Sequence, residues 1–205
     1  MSMHRRPLLA MSAACLFGAV LPAQAQSPPS TRIRGTIVSL DGPLLTIATR
    51  EGPHVMVALD DNLRVSALKN VELSEIAPGT FIGTAAIPGP DGGLQAQEVL
   101  LFPEAARGSG EGHYAWDLAP GGTMTNATVA SQVQGKSGRD LTLTYKGGSV
   151  VVTVPPGVPI VTPIPAERTD LKPGAAVFLS ATKMPDGTYT TAGVTVGKNG
   201  VNPPM

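Results

Sequence analysis

The chain has 205 residues and equal numbers of basic and acidic side chains, 15 of each, so its formal net charge is zero. This balance argues against the basic footprint of a nucleic-acid-binding protein. A single cysteine leaves no partner for an internal disulfide. The 24 glycines, the 20 prolines and the lack of sustained helical periodicity favour short strands separated by turns.

The first 25 residues have the pattern of a secretory signal peptide. Arg5 and Arg6 precede an apolar run from Leu8 to Leu21, and Ala23-Gln24-Ala25 provides a small-x-small cleavage site. The apolar run is shorter than the ~20 residues that a membrane span needs. The sequence therefore predicts a periplasmic protein with no membrane span after cleavage.

Two features of this segment bear on how the protein is exported. Arg5-Arg6 also fits a twin-arginine signal, so both export routes stay open. Cys15 is a poor lipidation site because Ser12, not leucine, stands three residues before it. A soluble product is therefore favoured over a lipoprotein.

Six strands are predicted after the signal peptide. They lie at residues 32–40, 44–49, 55–59, 63–66, 80–87 and 94–102, with turns between them such as Asp41-Gly42. Val55, Val57 and Leu59 alternate with other residues in the period of two that marks a half-buried strand. In the last strand the apolar positions change phase near Gln97, which predicts a β-bulge there.

The second half repeats this order at nearly constant spacing. Four landmarks return 95 or 96 residues later, namely Leu45 at Leu141, Val55 at Val150, Pro78 at Pro173 and Pro90 at Pro185. Chance similarity of strands and turns would not keep four landmarks at the same spacing. The sequence thus predicts an internal repeat.

These patterns together predict an all-β fold of two tandem, six-stranded small β-barrels of the oligonucleotide-binding type, because closing a short antiparallel sheet removes its exposed edges. The expected organisation is a signal peptide at 1–25, module 1 at 32–107, an ordered linker at 108–124 and module 2 at 125–200. A flatter sandwich is the alternative fold.

The linker holds an unusual concentration of chemically distinctive residues. It contains the only tryptophan of the chain, Trp116, together with His113, Tyr114 and Met124. A passive spacer is normally rich in glycine and serine instead. Any specific function is therefore expected to reside in this segment.

Two interpretations of the linker are open. It is either a site for copper or zinc, with His113, Glu111, Asp117 and Met124 as candidate ligands, or a packing element between the modules. In the second interpretation the side chains of Trp116, Tyr114 and Leu118 pack between the barrels, while Asp117 and Thr125 bind turn amides. We favour packing, because the candidate ligands lack a metal-binding spacing.

The remaining residues offer little support for catalysis. After signal cleavage only His54 and His113 are left as histidine bases, and His54 falls at a predicted turn. No glycine-rich loop has the sequence of a phosphate-binding loop. We therefore expect a protein that is not an enzyme.

Several short motifs resemble those of a known family. They are Gly110-Glu111-Gly112-His113, Trp116-Asp117-Leu118, the segment from Met124 to Val129, Leu171-Lys172-Pro173-Gly174, and Pro203-Pro204-Met205. The chain resembles an exported proteobacterial family with paired small β-barrel modules of unknown function, some of whose members are labelled metal ABC transporter permease. A permease needs several apolar spans. The resemblance thus implies at most a periplasmic accessory of metal uptake.

The function expected from the sequence is that of a non-enzymatic periplasmic protein that binds a small ligand or a protein partner. The alternative is a periplasmic metal-binding accessory protein of a metal transport system. Nucleic acid is not expected as a partner, because the charge balance is slightly acidic once Arg5 and Arg6 are removed and aromatic residues are scarce.

Overall fold

The computed structural model describes residues 30–135 and 138–203, so the predicted signal peptide lies outside the described residues. The strands of the described residues are β1 (Ser30–Asp41), β2 (Leu44–Thr49), β3 (His54–Asn70), β4 (Phe81–Pro88), β5 (Leu94–Leu101), β6 (Gly112–Ala115), β7 (Thr123–Gln134), β8 (Arg139–Tyr145), β9 (Gly148–Val154), β10 (Ile160–Pro165), β11 (Ala176–Lys183) and β12 (Tyr189–Val196). Single 3-10 turns lie at Leu73–Glu75, Glu104–Ala106 and Arg168–Asp170. The all-β prediction is confirmed.

One difference from the predicted strands has large consequences. The strands expected at 55–59 and 63–66 are a single 17-residue strand, β3, which runs without a turn from His54 to Asn70. The bulge predicted near Gln97 is confirmed, because the β4–β5 register shifts between Ala85 and Ala86 and leaves Gln97 without a partner. Because β3 continues without a turn, it carries the chain away from β1 and β2.

The first barrel is a closed ring of five strands. β2 pairs with β1 and β3, and β11 pairs with β1 and β12, all antiparallel. β12 returns to β3 in parallel register and closes the ring. Strands from both ends of the chain therefore build this barrel, and the prediction of a β-barrel is confirmed.

A second ring forms from five of the other strands. β4 pairs with β5 and β7, and β8 pairs with β7 and β9. A short parallel contact of β5 with β9, Leu94 opposite Val152 and Gln95 opposite Thr153, completes the ring. β6 adds to the outer edge of β7.

Two tandem six-stranded modules are not confirmed. β1 to β3 lie in the first barrel with β11 and β12, whereas β4 and β5 lie in the second ring with β7 to β9. Each closed unit thus combines the first part of one half of the chain with the last part of the other. Such an exchange of elements follows when a connection stays extended instead of turning back, as β3 does.

The two halves meet in an antiparallel pairing of β3 with β10. The register places Ser66 opposite Pro165 and Asn70 opposite Val161, so its centre lies at Leu68 and Pro163. Leu68 and Val161 are buried there with Leu100 in a small apolar cluster. This pairing occupies the position of a local twofold axis between the halves.

Several elements recur at a spacing of 95 residues. β4 begins at Phe81 and β11 at Ala176, and β5 begins at Leu94 and β12 at Tyr189. The turn glycines Gly79 and Gly174 recur likewise, with φ of 91° and 86°, a region that glycine adopts without strain. Corresponding elements thus occupy corresponding places in the barrel and the ring.

These glycines also dock each crossing segment on the other half of the chain. The Gly79 amide donates to the Val129 carbonyl at 2.8 Å, and the Gly174 amide donates to the Ile37 carbonyl at 2.8 Å. A side chain at either glycine would strain the turn and weaken that contact.

Each closed unit has its own apolar core, drawn from both halves of the chain. The first barrel buries Ile33, Ile37, Leu45, Ile47, Val57, Leu59, Val177, Leu179, Val194 and Val196, among others. The second ring buries Ile82, Ala96, Val99, Ala127, Val129, Leu141, Leu143, Val152 and Val154, among others. Neither half alone contains a complete core.

The helical content of the described residues is limited to the three 3-10 turns. None of the helices in this part of the chain is long and apolar enough to cross a membrane.

The exchange predicts that the halves fold only together. Residues 26–107 and 108–205, made as separate chains, should each be unfolded or self-associated, because each lacks strands that complete its barrel. Mixing them should give a 1:1 complex with the circular dichroism of the intact chain, measured together with light scattering. A stably folded monomer of either half would contradict the exchanged arrangement.

The crevice between the first barrel and the second ring

The first barrel presents two arginines on its outer face. Ile33 and Ile37 of β1 belong to the core, so the alternating residues Arg32 and Arg34 point outward. Arg34 lies opposite Phe178 of β11, with its guanidinium carbon 5.2 Å from the centroid of that ring. This arrangement makes a face that is both cationic and aromatic.

The second ring presents a mainly apolar face toward it. Ala127 and Val129 of β7 are core residues, so Met124 and Asn126 point outward, although both are buried. Leu100 of β5 is also buried on the outer side. The part of the outer face that contains Met124, Asn126 and Leu100 is therefore covered and not exposed to solvent.

Gly83 of β4 completes this face, and its lack of a side chain makes room there. A Cβ at Gly83 would lie 2.7 Å from Asn126 Oδ1 and 3.0 Å from the Phe102 ring. Both approaches are closer than van der Waals contact allows. A side chain at this position would therefore have to displace the Asn126 side chain or the Phe102 ring.

The linker closes the space between the two faces. Its strand β6 pairs with β7, so Tyr114 lies opposite Met124 and the chain then places Trp116 beside β1. The crevice between them has a volume of about 150 Å³. Its lining consists of Gly83, Leu100, Phe102, Tyr114, Trp116, Met124, Asn126 and Phe178.

An ion-pair cluster lies at the tryptophan side of the crevice. The Arg34 Nη2 donates to Asp117 Oδ1 at 2.8 Å, and the Arg32 Nη1 lies 3.7 Å from the same oxygen. The Arg32 guanidinium carbon lies 3.7 Å from the centroid of the Trp116 ring, which is the geometry of a cation–π contact. The linker is thereby attached to the first barrel by charge as well as by packing.

The charge of Asp117 is maintained by its two arginines. Partial burial tends to raise the pKa of Asp117, but the hydrogen bond from Arg34 and the charges of Arg34 and Arg32 outweigh it. The net effect lowers its pKa. Asp117 therefore stays ionised at neutral pH.

Glu98 is an unusual buried acid close to this cluster. It lies two residues before Leu100 on the outer face of β5, is only 1% exposed, and neither carboxyl oxygen has a hydrogen-bond partner. Burial raises its pKa to about 8, although the positive charge of Arg34 opposes the rise. At neutral pH Glu98 is therefore predominantly protonated and uncharged.

Asn126 and Trp116 are the lining residues with buried polar atoms that lack a partner, and Asn126 also binds the linker. The Asn126 Nδ2 donates to the Ser109 carbonyl at 3.1 Å and lies 3.4 Å from the Tyr114 hydroxyl. Asn126 Oδ1 and Trp116 Nε1 are buried without a partner. Buried unpaired polar atoms are costly for folding and are frequent at functional sites.

The four candidate metal ligands lie in different surroundings. Glu111 Oε1 accepts from the Lys146 amide at 2.9 Å, Asp117 binds arginine, and Met124 is buried in the crevice wall. His113 is exposed, and its ring stacks on the ring of Tyr145 with 6.1 Å between the two ring centroids. Within residues 30–135 and 138–203, no group of three His, Cys, Asp or Glu side chains could hold a metal ion.

The contact between His113 and Thr125 has the form of a base beside a hydroxyl. The His113 Nδ1 and the Thr125 Oγ1 are 2.8 Å apart. Thr125 is fully buried, however, so a substrate cannot reach its hydroxyl. His54, the other candidate base, is exposed at the start of β3.

Two of the three predicted packing residues lie where the barrel and the ring meet. Trp116 and Tyr114 line the crevice, but Leu118 is not part of its lining. Asp117 and Thr125, which were expected to bind turn amides, contact the side chains of Arg34 and His113 instead. The reason is that β6 brings the linker against β7 and β1.

Sequence reasoning missed the residues contributed by the barrel walls. Arg32, Arg34, Glu98 and Phe178 come from strands that are far apart in the sequence and meet only through the exchange. One signal was available, since Glu98 is a lone carboxyl within the otherwise uncharged strand from Leu94 to Leu101. A charged residue within a buried strand commonly marks a functional or pairing role.

Comparison with protein-family models, curated proteins and solved structures gives no match to this chain. The resemblance inferred from its short motifs therefore stays a prediction.

The raised pKa of Glu98 predicts a stability that falls with pH. The folded state keeps the Glu98 proton up to about pH 8, whereas an unfolded chain releases it near 4.5. Over that interval the folded state binds more protons, so the free energy of unfolding declines by about 1.4 kcal/mol per pH unit. Glu98→Gln should remove this decline and raise the melting temperature at pH 8 and above.

Thermal denaturation across pH 4 to 9 measures the effect. The exposed Glu51→Gln is the control for loss of a carboxyl group and should leave the slope unchanged. Equal pH dependence of Glu98→Gln and the unaltered protein would show that Glu98 is ionised in the folded state.

Asp117→Asn should destabilise the protein by about 1–2 kcal/mol, because it leaves the Arg34 guanidinium without its anionic partner in a buried position. The effect is smaller than for a fully buried pair, since the Asp117 side chain is 49% exposed. Urea denaturation measures it. A change within 0.3 kcal/mol of the control Asp91→Asn would contradict a structural role for the pair.

Proposed function

We propose that this protein is an exported, non-enzymatic periplasmic binding protein whose binding site is the crevice between the first barrel and the second ring. The observation that carries the proposal is the crevice itself, in which four aromatic side chains, Phe102, Tyr114, Trp116 and Phe178, surround a space next to an ion-pair cluster. Aromatic walls with a few fixed polar groups are typical of small-molecule sites.

The size of the crevice limits what it can hold. Its volume of about 150 Å³ equals that of an engineered protein cavity that binds benzene. A single aromatic ring, free or on a partner's side chain, fits this space. Shallower depressions elsewhere are larger, such as one of about 550 Å³ beside Pro155 and Pro156, but proline, glycine and polar residues dominate their walls.

Divergence between corresponding positions also favours this location. In the first barrel Arg34 pairs with Phe178, and at the corresponding place in the second ring Asn126 pairs with Gly83. Phe178 on the barrel side faces a position, Gly83, that has no side chain on the ring side. This difference leaves one recess where the two units meet. Two identical faces would leave either a symmetric pair of recesses or none.

The anchoring of the linker supports binding in place of turnover. Tyr114 and Trp116 are held by the β6–β7 pairing and by the Arg32, Arg34 and Asp117 contacts. A site whose walls are fixed before the ligand arrives loses little conformational entropy on binding. Binding is the activity to which such a preformed crevice is suited.

Filling the crevice tests the proposal. Leu100→Phe places a ring in the recess, and a Leu100→Phe variant that stays folded should lose binding of single-ring aromatic fragments. Ligand-observed NMR with a fragment set containing phenol, benzoate and benzamide measures this, with fluorescence of Trp116, the only tryptophan, as a second readout.

Leu44→Phe is the matched control, because Leu44 is 39% exposed on β2 and takes no part in the crevice lining. It should bind the fragments as the unaltered protein does. If none of the fragments binds the unaltered protein, or if Leu100→Phe binds them equally well, the crevice is not the binding site.

A further inference from the structure

We propose that the crevice selects a small aromatic carboxylate, with the ring between Phe178, Trp116 and Leu100 and the carboxylate on Arg32. This inference rests on the proposed function and adds the charge of the ligand to it. The preference for an anion follows from the balance of charges beside the crevice.

Two guanidinium groups share a single carboxylate at the tryptophan side of the crevice. Arg34 makes the 2.8 Å hydrogen bond to Asp117, whereas Arg32 approaches the same oxygen only to 3.7 Å, which is longer than a hydrogen bond. The two arginines therefore bind Asp117 unequally. Asp117 occupies the Arg34 Nη2, and the Arg34 Nε is buried without a partner. The more exposed Arg32 retains donors for another acceptor.

The nearby acid does not supply the missing negative charge. Glu98 is buried and predominantly uncharged at neutral pH, because burial raises its pKa to about 8. Arg32, Arg34 and Asp117 then leave one positive charge in excess. A monoanion fits this excess, whereas a cation would be repelled by it.

The position of Arg32 connects that charge to the crevice. Its guanidinium lies 3.7 Å from the centroid of Trp116, which is itself a wall of the crevice. Arg32 is not itself part of the lining, but its charge acts on the lining residue Tyr114, and its side chain is 30% exposed, so a ligand group beside Trp116 can reach it. A planar carboxylate attached to a ring in the crevice would meet the planar guanidinium there, the geometry in which arginine binds carboxylates best.

Three probes of nearly equal shape and different charge test the inference. They are benzoate, benzamide and benzamidine, titrated at pH 7 against the full mature chain and followed by Trp116 fluorescence and calorimetry. Benzoate should bind most tightly, with a Kd of about 1 mM or below, as expected for so small a ligand. Benzamide should bind about fivefold more weakly, and benzamidine weakest.

Arg32→Gln should reduce the affinity for benzoate about fivefold more than the affinity for benzamide. Arg32→Lys keeps the charge but loses the planar fork, so its benzoate affinity should lie between those of Arg32→Gln and the unaltered protein. Arg168→Gln is the control for loss of a positive charge, since Arg168 lies on an exposed 3-10 turn outside the crevice lining. Benzamide binding retained by Arg32→Gln shows that the crevice is still formed.

The outcomes separate this inference from the proposed function. Equal affinity for benzoate and benzamide, or benzoate binding unaffected by Arg32→Gln, overturns the selection for a carboxylate while the crevice remains a binding site. Failure of all three probes to bind overturns both. Preference for benzoate that is lost in Arg32→Gln and kept in Arg168→Gln supports the inference.

Discussion

The antiparallel pairing of β3 with β10 is the contact on which the rest of the structure depends. It joins residues 66–70 to residues 161–165 around Leu68 and Pro163. β3 reaches this contact only because it stays extended from His54 to Asn70. A turn within that segment would return the chain to β1 and β2, and the two halves would then close separately.

The exchange has energetic and functional consequences. Each apolar core contains residues from both halves, so burial in one half depends on the other. It also brings the outer face of β1 and β11 against that of β4, β5 and β7. Arg34 and Phe178 thereby come close to Gly83 and Met124, which separate barrels on a flexible linker would not achieve.

The two related units differ at their interface, where Arg34 and Phe178 of the first barrel correspond to Asn126 and Gly83 of the second ring. A polar group buried in an interface without a partner lowers stability. Glu98 is such a group, and Asn126 and Trp116 each bury one unpaired polar atom. Their concentration around one crevice is the pattern expected of a site in which function, and not folding, determines the choice of residues.

The all-β class, most strand positions and the bulge near Gln97 can be predicted without a structure, because they depend on local periodicity and turn residues. The sequence also directed attention to the linker through Trp116. Which strands pair is visible only in the folded chain, since a period of two shows which side of a strand is buried but not which strand covers it. For the same reason the tertiary structure alone brought Arg32, Arg34, Glu98 and Phe178 together, as their contacts depend on an exchange that no local pattern encodes.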